Sequence, residues 1–217
     1  SKAYAVSTQP EYGVSASYES AEVNLAHAKA TTGASASIRG MGSIEASGNV
    51  EVSADGDADV DAKIETADIS LSKINIAVSE AKAELKVNQS AYISGPGKDY
   101  DSYTGIDADG YVKVLSTLTA DGYAATGGNK STVNVSAVSG KTNLVDVSST
   151  TINKAYIENA VVKADGDVDV KASTTSTVTG ESTQESVDVE LVSLGFVDVT
   201  TDSNDQVEAY IAGGKGS

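Results

Sequence analysis

The chain has 217 residues, a formal net charge of −16, no Cys, no Trp, one Met and one Phe. So acidic a surface is repelled by phosphate backbones and anionic lipid, and no basic stripe with interleaved aromatics offsets it, which excludes nucleic-acid binding. No apolar run approaches the roughly 18 residues of a spanning helix, so membrane insertion is not expected. No secretory leader is read, so any export signal is expected outside this segment.

In chain order, the first alternating stretch is Lys2-Ala3-Tyr4-Ala5-Val6. Ala21–Ala30 follows; its Ala, Glu and Lys content suits helix, but it stands where later units carry alternating strand, and it is read as strand. Ala36-Ser37-Ile38 is a worn copy of a marker that returns intact below. Gly48-Asn49-Val50-Glu51-Val52 is the first Gly-x-Val-x-Val, and Ile74-Asn75-Ile76-Ala77-Val78 alternates again before Ser79–Val87, a second Ala/Glu/Lys stretch read as strand. Ala91-Tyr92-Ile93 closes that unit. The pattern repeats with Val112 and Val114, Val133-Asn134-Val135, Val145-Asp146-Val147 and Ala155-Tyr156-Ile157, then with Val168 and Val170, Val187-Asp188-Val189 and Ala209-Tyr210-Ile211.

The glycines of Gly-x-Val-x-Val at 48, 110 and 166 are 62 and 56 residues apart, and Tyr92, Tyr156 and Tyr210 are 64 and 54 apart. Self-similarity at a fixed period is the signature of a repeat architecture. Alternation puts Val or Ile on one face and Asp, Glu, Lys, Asn or Ser on the other, which predicts strands with the apolar face inward. The expected fold is all-β: a right-handed parallel β-helix (β-solenoid), with about three rungs of some 18–22 residues in each unit of roughly 60. Ten or so rungs at about 4.8 Å each would make a rod near 50 Å long. The alternative is a pair of tandem antiparallel β-sandwiches, which would bring larger core aromatics and two-residue hairpin loops. One solenoid segment is expected over residues 1–212, in degenerate units of about 1–40, 41–95, 96–160 and 161–212, with 213–217 a flexible Gly-rich tail.

Val50/Val52, Val112/Val114, Val168/Val170 and the three Ala-Tyr-Ile triplets, above all Thr151-Ile152-Asn153-Lys154-Ala155-Tyr156-Ile157, carry a resemblance. Together they resemble the leukotoxin-type filamentous adhesins, large repetitive bacterial exoproteins related in style to filamentous haemagglutinin. The resemblance covers about residues 34–212. It implies a β-helical rod, a dedicated secretion route, an extracellular or cell-surface location, and a structural or adhesive role toward an unnamed surface receptor or glycan.

Two acidic strands are the candidates for chemistry. Asp55, Asp57, Asp59 and Asp61 recur at every second position, and Asp165, Asp167 and Asp169 repeat the pattern. Carboxylates lined on one face would be relieved by a hard cation, so Ca²⁺ is the one cofactor entertained, against a merely solvated face. Neither an EF-hand loop nor a Gly-Gly-x-Gly-x-Asp roll is present. A polysaccharide-active β-helix enzyme is the rival function, but one His (His27), one Arg (Arg39) and no Trp platform leave nothing to single out, and the chain is read as no enzyme. Tyr92, Tyr156 and Tyr210 are expected to stack as a ladder between units. Tyr100, Tyr103, Tyr111 and Tyr123 suggest either an adaptable binding surface or packing at loop bases. Because Lys2-Ala3-Tyr4 echoes Lys154-Ala155-Tyr156, head-to-tail self-association into a filament is the second functional expectation.

Overall fold

The computed structural model describes residues 2–8, 13–40, 42–65, 68–95, 105–127, 132–183 and 186–213. Tyr100 and Tyr103, and residues 214–217 of the tail, lie outside them. Among the described residues every regular element is a strand: β1 (Lys2–Thr8), β2 (Gly13–Thr32), β3 (Ser35–Arg39), β4 (Ser43–Ala46), β5 (Val50–Glu65), β6 (Asp68–Ser94), β7 (Gly105–Ala108), β8 (Val112–Thr126), β9 (Thr132–Glu158), β10 (Val161–Ala164), β11 (Val168–Ser182) and β12 (Ser186–Ala212). The two Ala/Glu/Lys stretches fall inside β2 and β6, as strand.

The strands form three sheets. One has the order β1-β5-β8-β11, a second β2-β6-β9-β12 with β3 also on β6, and a third β4-β7-β10. All pairings among the described residues are parallel, each strand lying on its counterpart from the turn before. This is the connectivity of a parallel β-solenoid, and it overturns the antiparallel-sandwich alternative. We call the β1/β2 end the lower face and the β11/β12 end the upper face.

The expectation of three rungs per unit is corrected. Val50 pairs with Val112 and Val112 with Val168, so a unit of roughly 60 residues is one turn, with one strand in each sheet. The reason is strand length: β6, β9 and β12 run 27 residues each. The short Val-x-Val runs mark only parts of these strands, and the chain travels sideways rather than upward. Four layers at about 4.8 Å span only about 14 Å from β1 to β11, not 50 Å. Tyr4 is likewise not an early member of the tyrosine series. It lies in β1 opposite Asp61, in a different sheet from Tyr156, so the Lys-Ala-Tyr echo has no structural counterpart.

The interior holds two apolar clusters. One packs Ala58, Val60, Ala62 and Ile64 of β5 and Leu118, Ala120 and Ala124 of β8 against Ala81, Ala83 and Leu85 of β6 and Val145 and Val147 of β9. The other packs Val52, Val112 and Val114 against Ile93, Ile106 and Ile157. Alanine on both facing sheets lets them approach closely, so no large aromatic is needed to fill the gap. Between the clusters stands a layer of side-chain amides. Asn153, fully buried, donates from Nδ2 to Ser116 O (3.2 Å), Ser173 O (2.8 Å) and Thr174 Oγ1 (3.1 Å). One turn lower, Gln89 donates from Nε2 to Ala54 O at 2.8 Å and Thr117 O at 2.7 Å. These amides pin sheet to sheet where carbonyls of the first sheet turn inward.

The glycine of Gly-x-Val-x-Val is explained by close approach. Gly110 N donates to Gly48 O at 3.1 Å and Gly166 N to Gly110 O at 3.0 Å. A Cβ on Gly110 would fall 2.1 Å from Asn49 Oδ1 and 3.0 Å from the backbone of Gly48.

Candidate functional site

The first part of each long strand in the β2-β6-β9-β12 sheet folds back on itself. The ladder skips one residue per turn at the same level: Tyr18, Lys73, Ala137 and Leu191. Side chains on either side of that level meet. Ser20 Oγ lies 3.2 Å from Ser72 Oγ and donates to Asn75 Oδ1 at 2.9 Å, though only Asn75 is its register partner. Asn75 Nδ2 donates to Asn134 Oδ1 at 3.3 Å, yet Asn75 stands opposite Ser139. Lys141 Nζ is 2.9 Å from both carboxylate oxygens of Asp188, whose register partner is Asn134. In one straight strand, residues seven apart would be separated by about 23 Å, beyond a lysine's reach. The strands therefore form a stack of arches.

The arches reverse the expected polarity. Asn75, Ser79, Asn134, Ser136 and Ser139 are buried inside, and the Lys141 side chain is only 13% exposed. The apolar residues point outward. Leu71, Ile74 and Ile76 of β6 are 44%, 36% and 51% exposed, and Val135 and Val138 of β9 are 40% each. These belong to the two middle turns, covered above and below, so their exposure reflects the face they occupy rather than an open end. Tyr18 and Val23 of β2 and Val189, Leu191, Leu194 and Phe196 of β12 continue the band across all four turns. The inward reading of Ile74-Asn75-Ile76 and Val133-Asn134-Val135 is thus corrected. Short polar residues fit the narrow space between two arms and hydrogen-bond from turn to turn, which leaves the apolar face outside. The signal was present in the sequence: Ser20, Asn75, Ser139 and Ser193 share one column with a short, uncharged polar residue in every turn. An exposed apolar band that runs through covered turns of a charged chain makes these arches the candidate site.

The three repeat tyrosines stack. Tyr92 and Tyr156 have ring centroids 4.7 Å apart at 5°, and Tyr156 and Tyr210 5.1 Å apart at 7°. Burial, then the neighbouring Tyr92 and Tyr210, push the Tyr156 hydroxyl pKa up. In the lowest turn the column holds Ser37, and the guanidinium of Arg39 lies 4.9 Å from the Tyr92 centroid instead. Val50, Val52, Val112, Val114, Val168 and Val170 share one wall in register. Tyr111 and Tyr123 are held by the fold: Lys113 Nζ lies 4.2 Å from the Tyr111 ring centre, and Tyr123 OH donates to Glu181 at 2.9 Å.

The acidic strands are laid out as alternation required, but they do not converge. Asp55, Asp57, Asp59 and Asp61 alternate with buried or half-buried residues along β5, about 7 Å apart on one face. Lys2 lies 3.3 Å from Asp59 and Lys63 2.9 Å from Asp61, and Ser53 Oγ donates to Asp55 at 3.2 Å. Asp165, Asp167 and Asp169 are exposed at the entry to β11, Asp169 opposite Lys113. Among the described residues no three carboxylate or imidazole groups come together as a metal site.

The charge is instead distributed by register. In five ion pairs the partners stand opposite one another in adjacent turns: Lys2–Asp59, Lys29–Glu84, Lys82–Asp146, Lys154–Glu208 and Lys163–Asp107. Opposite charges facing across a ladder favour that register and disfavour slips. Compared with family models, curated proteins and solved structures, the chain matches none.

Proposed function

We propose that the chain is a structural and adhesive rod segment of a bacterial exoprotein, secreted or displayed at the cell surface, that holds its target through the apolar outer face of its arches. The observation that carries this reading is the exposure of Leu71, Ile74, Ile76, Val135 and Val138 in turns covered on both sides. A stack that only needed to be rigid and soluble would turn those residues in. The solenoid supplies the stiffness: each turn is tied to the next by a continuous parallel ladder. Acidic strands elsewhere keep the rod soluble, so contact is confined to the band. The motif resemblance to filamentous adhesins supports the same role and the extracellular location.

Adsorption tests it. The chain should bind bacterial or host cell surfaces and alkyl-coated beads, and the double variant Ile76→Lys/Val138→Lys should lose at least about tenfold in affinity with an unchanged circular dichroism spectrum, since burying two such side chains is worth roughly 3 kcal/mol. Retention of full binding by that variant would refute the band as the adhesive face.

A further inference from the structure

We propose that Lys141 and Asp188 are joined by an isopeptide bond that the chain forms on itself inside the arch, assisted by Asn134 and Glu190. The bond goes beyond the adhesive reading and does not depend on it.

One ion pair stands apart from the register-matched ones. Lys141 lies opposite Gly195, which has no side chain to pair with, and reaches Asp188 on the other arm of the arch in the next turn. Among the ion-paired lysines of the described residues it is the least exposed, at 13% of its side chain, and the side chain of Asp188 is 25% exposed. The contact is made between β9 and β12, within the chain.

The geometry is that of two reactants. Lys141 Nζ is 2.9 Å from Asp188 Oδ1 and 2.9 Å from Oδ2. A nitrogen equidistant from both carboxylate oxygens lies against Cγ, at about the 3–3.5 Å of a near-attack pair. Held there, an amine and a carboxyl meet at an effective concentration of roughly 10⁵ M or more, which drives a condensation that free partners in water do not undergo.

Two neighbours supply what the reaction needs. Asn134, 5% exposed, donates from Nδ2 to Asp188 Oδ1 at 3.0 Å. Its own Oδ1 accepts from Asn75 Nδ2 at 3.3 Å, which fixes the orientation of the amide. The Asn134 N–H is therefore aimed at the oxygen where negative charge develops as nitrogen adds to Cγ, as in an oxyanion hole. Glu190 stands two residues beyond Asp188, so the two side chains leave the same face of β12. Both carboxylate oxygens of Glu190 are buried with no hydrogen-bond partner, and so is the hydroxyl of Ser136, its register partner. A buried carboxylate without a partner is costly to keep, and carrying a proton for its neighbours gives it a use.

The step balances. The Lys141 ammonium gives one proton to Asp188 Oδ2, leaving a neutral amine and a carboxylic acid. The amine lone pair forms the Nζ–Cγ bond, and Asn134 holds the charge that develops on Oδ1. Nζ passes a second proton to the Glu190 carboxylate, Glu190 returns it to the Oδ2 hydroxyl, the Cγ–Oδ2 bond breaks and water leaves. The products are a secondary amide and one water, and no oxidant or cofactor enters. The link joins positions 47 residues apart and fastens one turn to the next across the arch.

Intact mass spectrometry of the natively folded full chain tests this. The wild type should be lighter than its sequence by the mass of one water molecule. Proteolysis after unfolding should release a branched peptide that joins the segments around Lys141 and Asp188. Lys141→Arg and Asp188→Ala should each show the full mass of their sequence with an unchanged far-ultraviolet spectrum. Glu190→Gln should keep the fold and form the bond about 100-fold more slowly, the usual share of a proton-transfer group. A wild type at its full sequence mass would mean an ion pair only and would overturn the proposal, whatever the variants do. A water loss that persists in Lys141→Arg would overturn it as well, and a Glu190→Gln chain that closes as fast as the wild type would overturn the role given to Glu190.

Discussion

Replacing Asn153 with leucine probes the amide layer that divides the two apolar clusters. Asn153 is fully buried in a middle turn. Its Nδ2 serves Ser116 O and Ser173 O, and its Oδ1 accepts from Ser116 Oγ. Leucine keeps the branching and the number of side-chain heavy atoms and is the bulkier of the two, so no cavity opens. What remains is the cost of polar groups left without partners. Two backbone carbonyls at about 1–3 kcal/mol each give a loss of roughly 2–6 kcal/mol. The natural chain contains a contrast: Val207 occupies this column in β12 and is 45% exposed. Urea unfolding followed by circular dichroism should therefore show a lower midpoint for Asn153→Leu and almost none of that shift for Val207→Leu. A midpoint for Asn153→Leu within error of the wild type would refute the reasoning, because the layer would then be filler rather than a fastening.

Two further outcomes follow from local geometry. A Cβ on Gly95 would fall 1.7 Å from Asn159 O, backbone that cannot yield, while one on Gly140 meets nothing within 4 Å. Gly95→Ala should lower the thermal midpoint by many degrees or abolish soluble expression, and Gly140→Ala should leave the midpoint unchanged. Lys86 and then Lys29 hold the Glu84 carboxyl down at about 2, against an ordinary 4.5. A depressed carboxyl stabilises the fold above its unfolded pKa and loses that contribution as pH falls through its folded one. Glu84→Gln should thus be less stable than wild type at pH 6 by about 0.5 kcal/mol, the scale of an exposed pair, and equal to it near pH 1. Equal stability at both pH values would show that the pairs contribute nothing.

The sequence determined the repeat and its chemistry. The columns of Val, Ile and Tyr, the parallel stacking they imply, and strand rather than helix at Ala21–Ala30 all follow from periodicity, because equivalent residues of successive turns must occupy equivalent places. Two things were decided only in three dimensions. One is how many strands make a turn. Val-x-Val marks a piece of strand without stating its length, and strands of 27 residues turned an expected tall, narrow rod into a broad coil of four layers. The other is which face is inside. A period of two separates the faces of a strand but does not orient them, and a fold-back at Lys73 and Ala137 placed Asn75 and Asn134 within the arch and Ile76 and Val138 outside it. Orientation depends on what lies opposite a strand, and for these segments that is the other arm of the same strand.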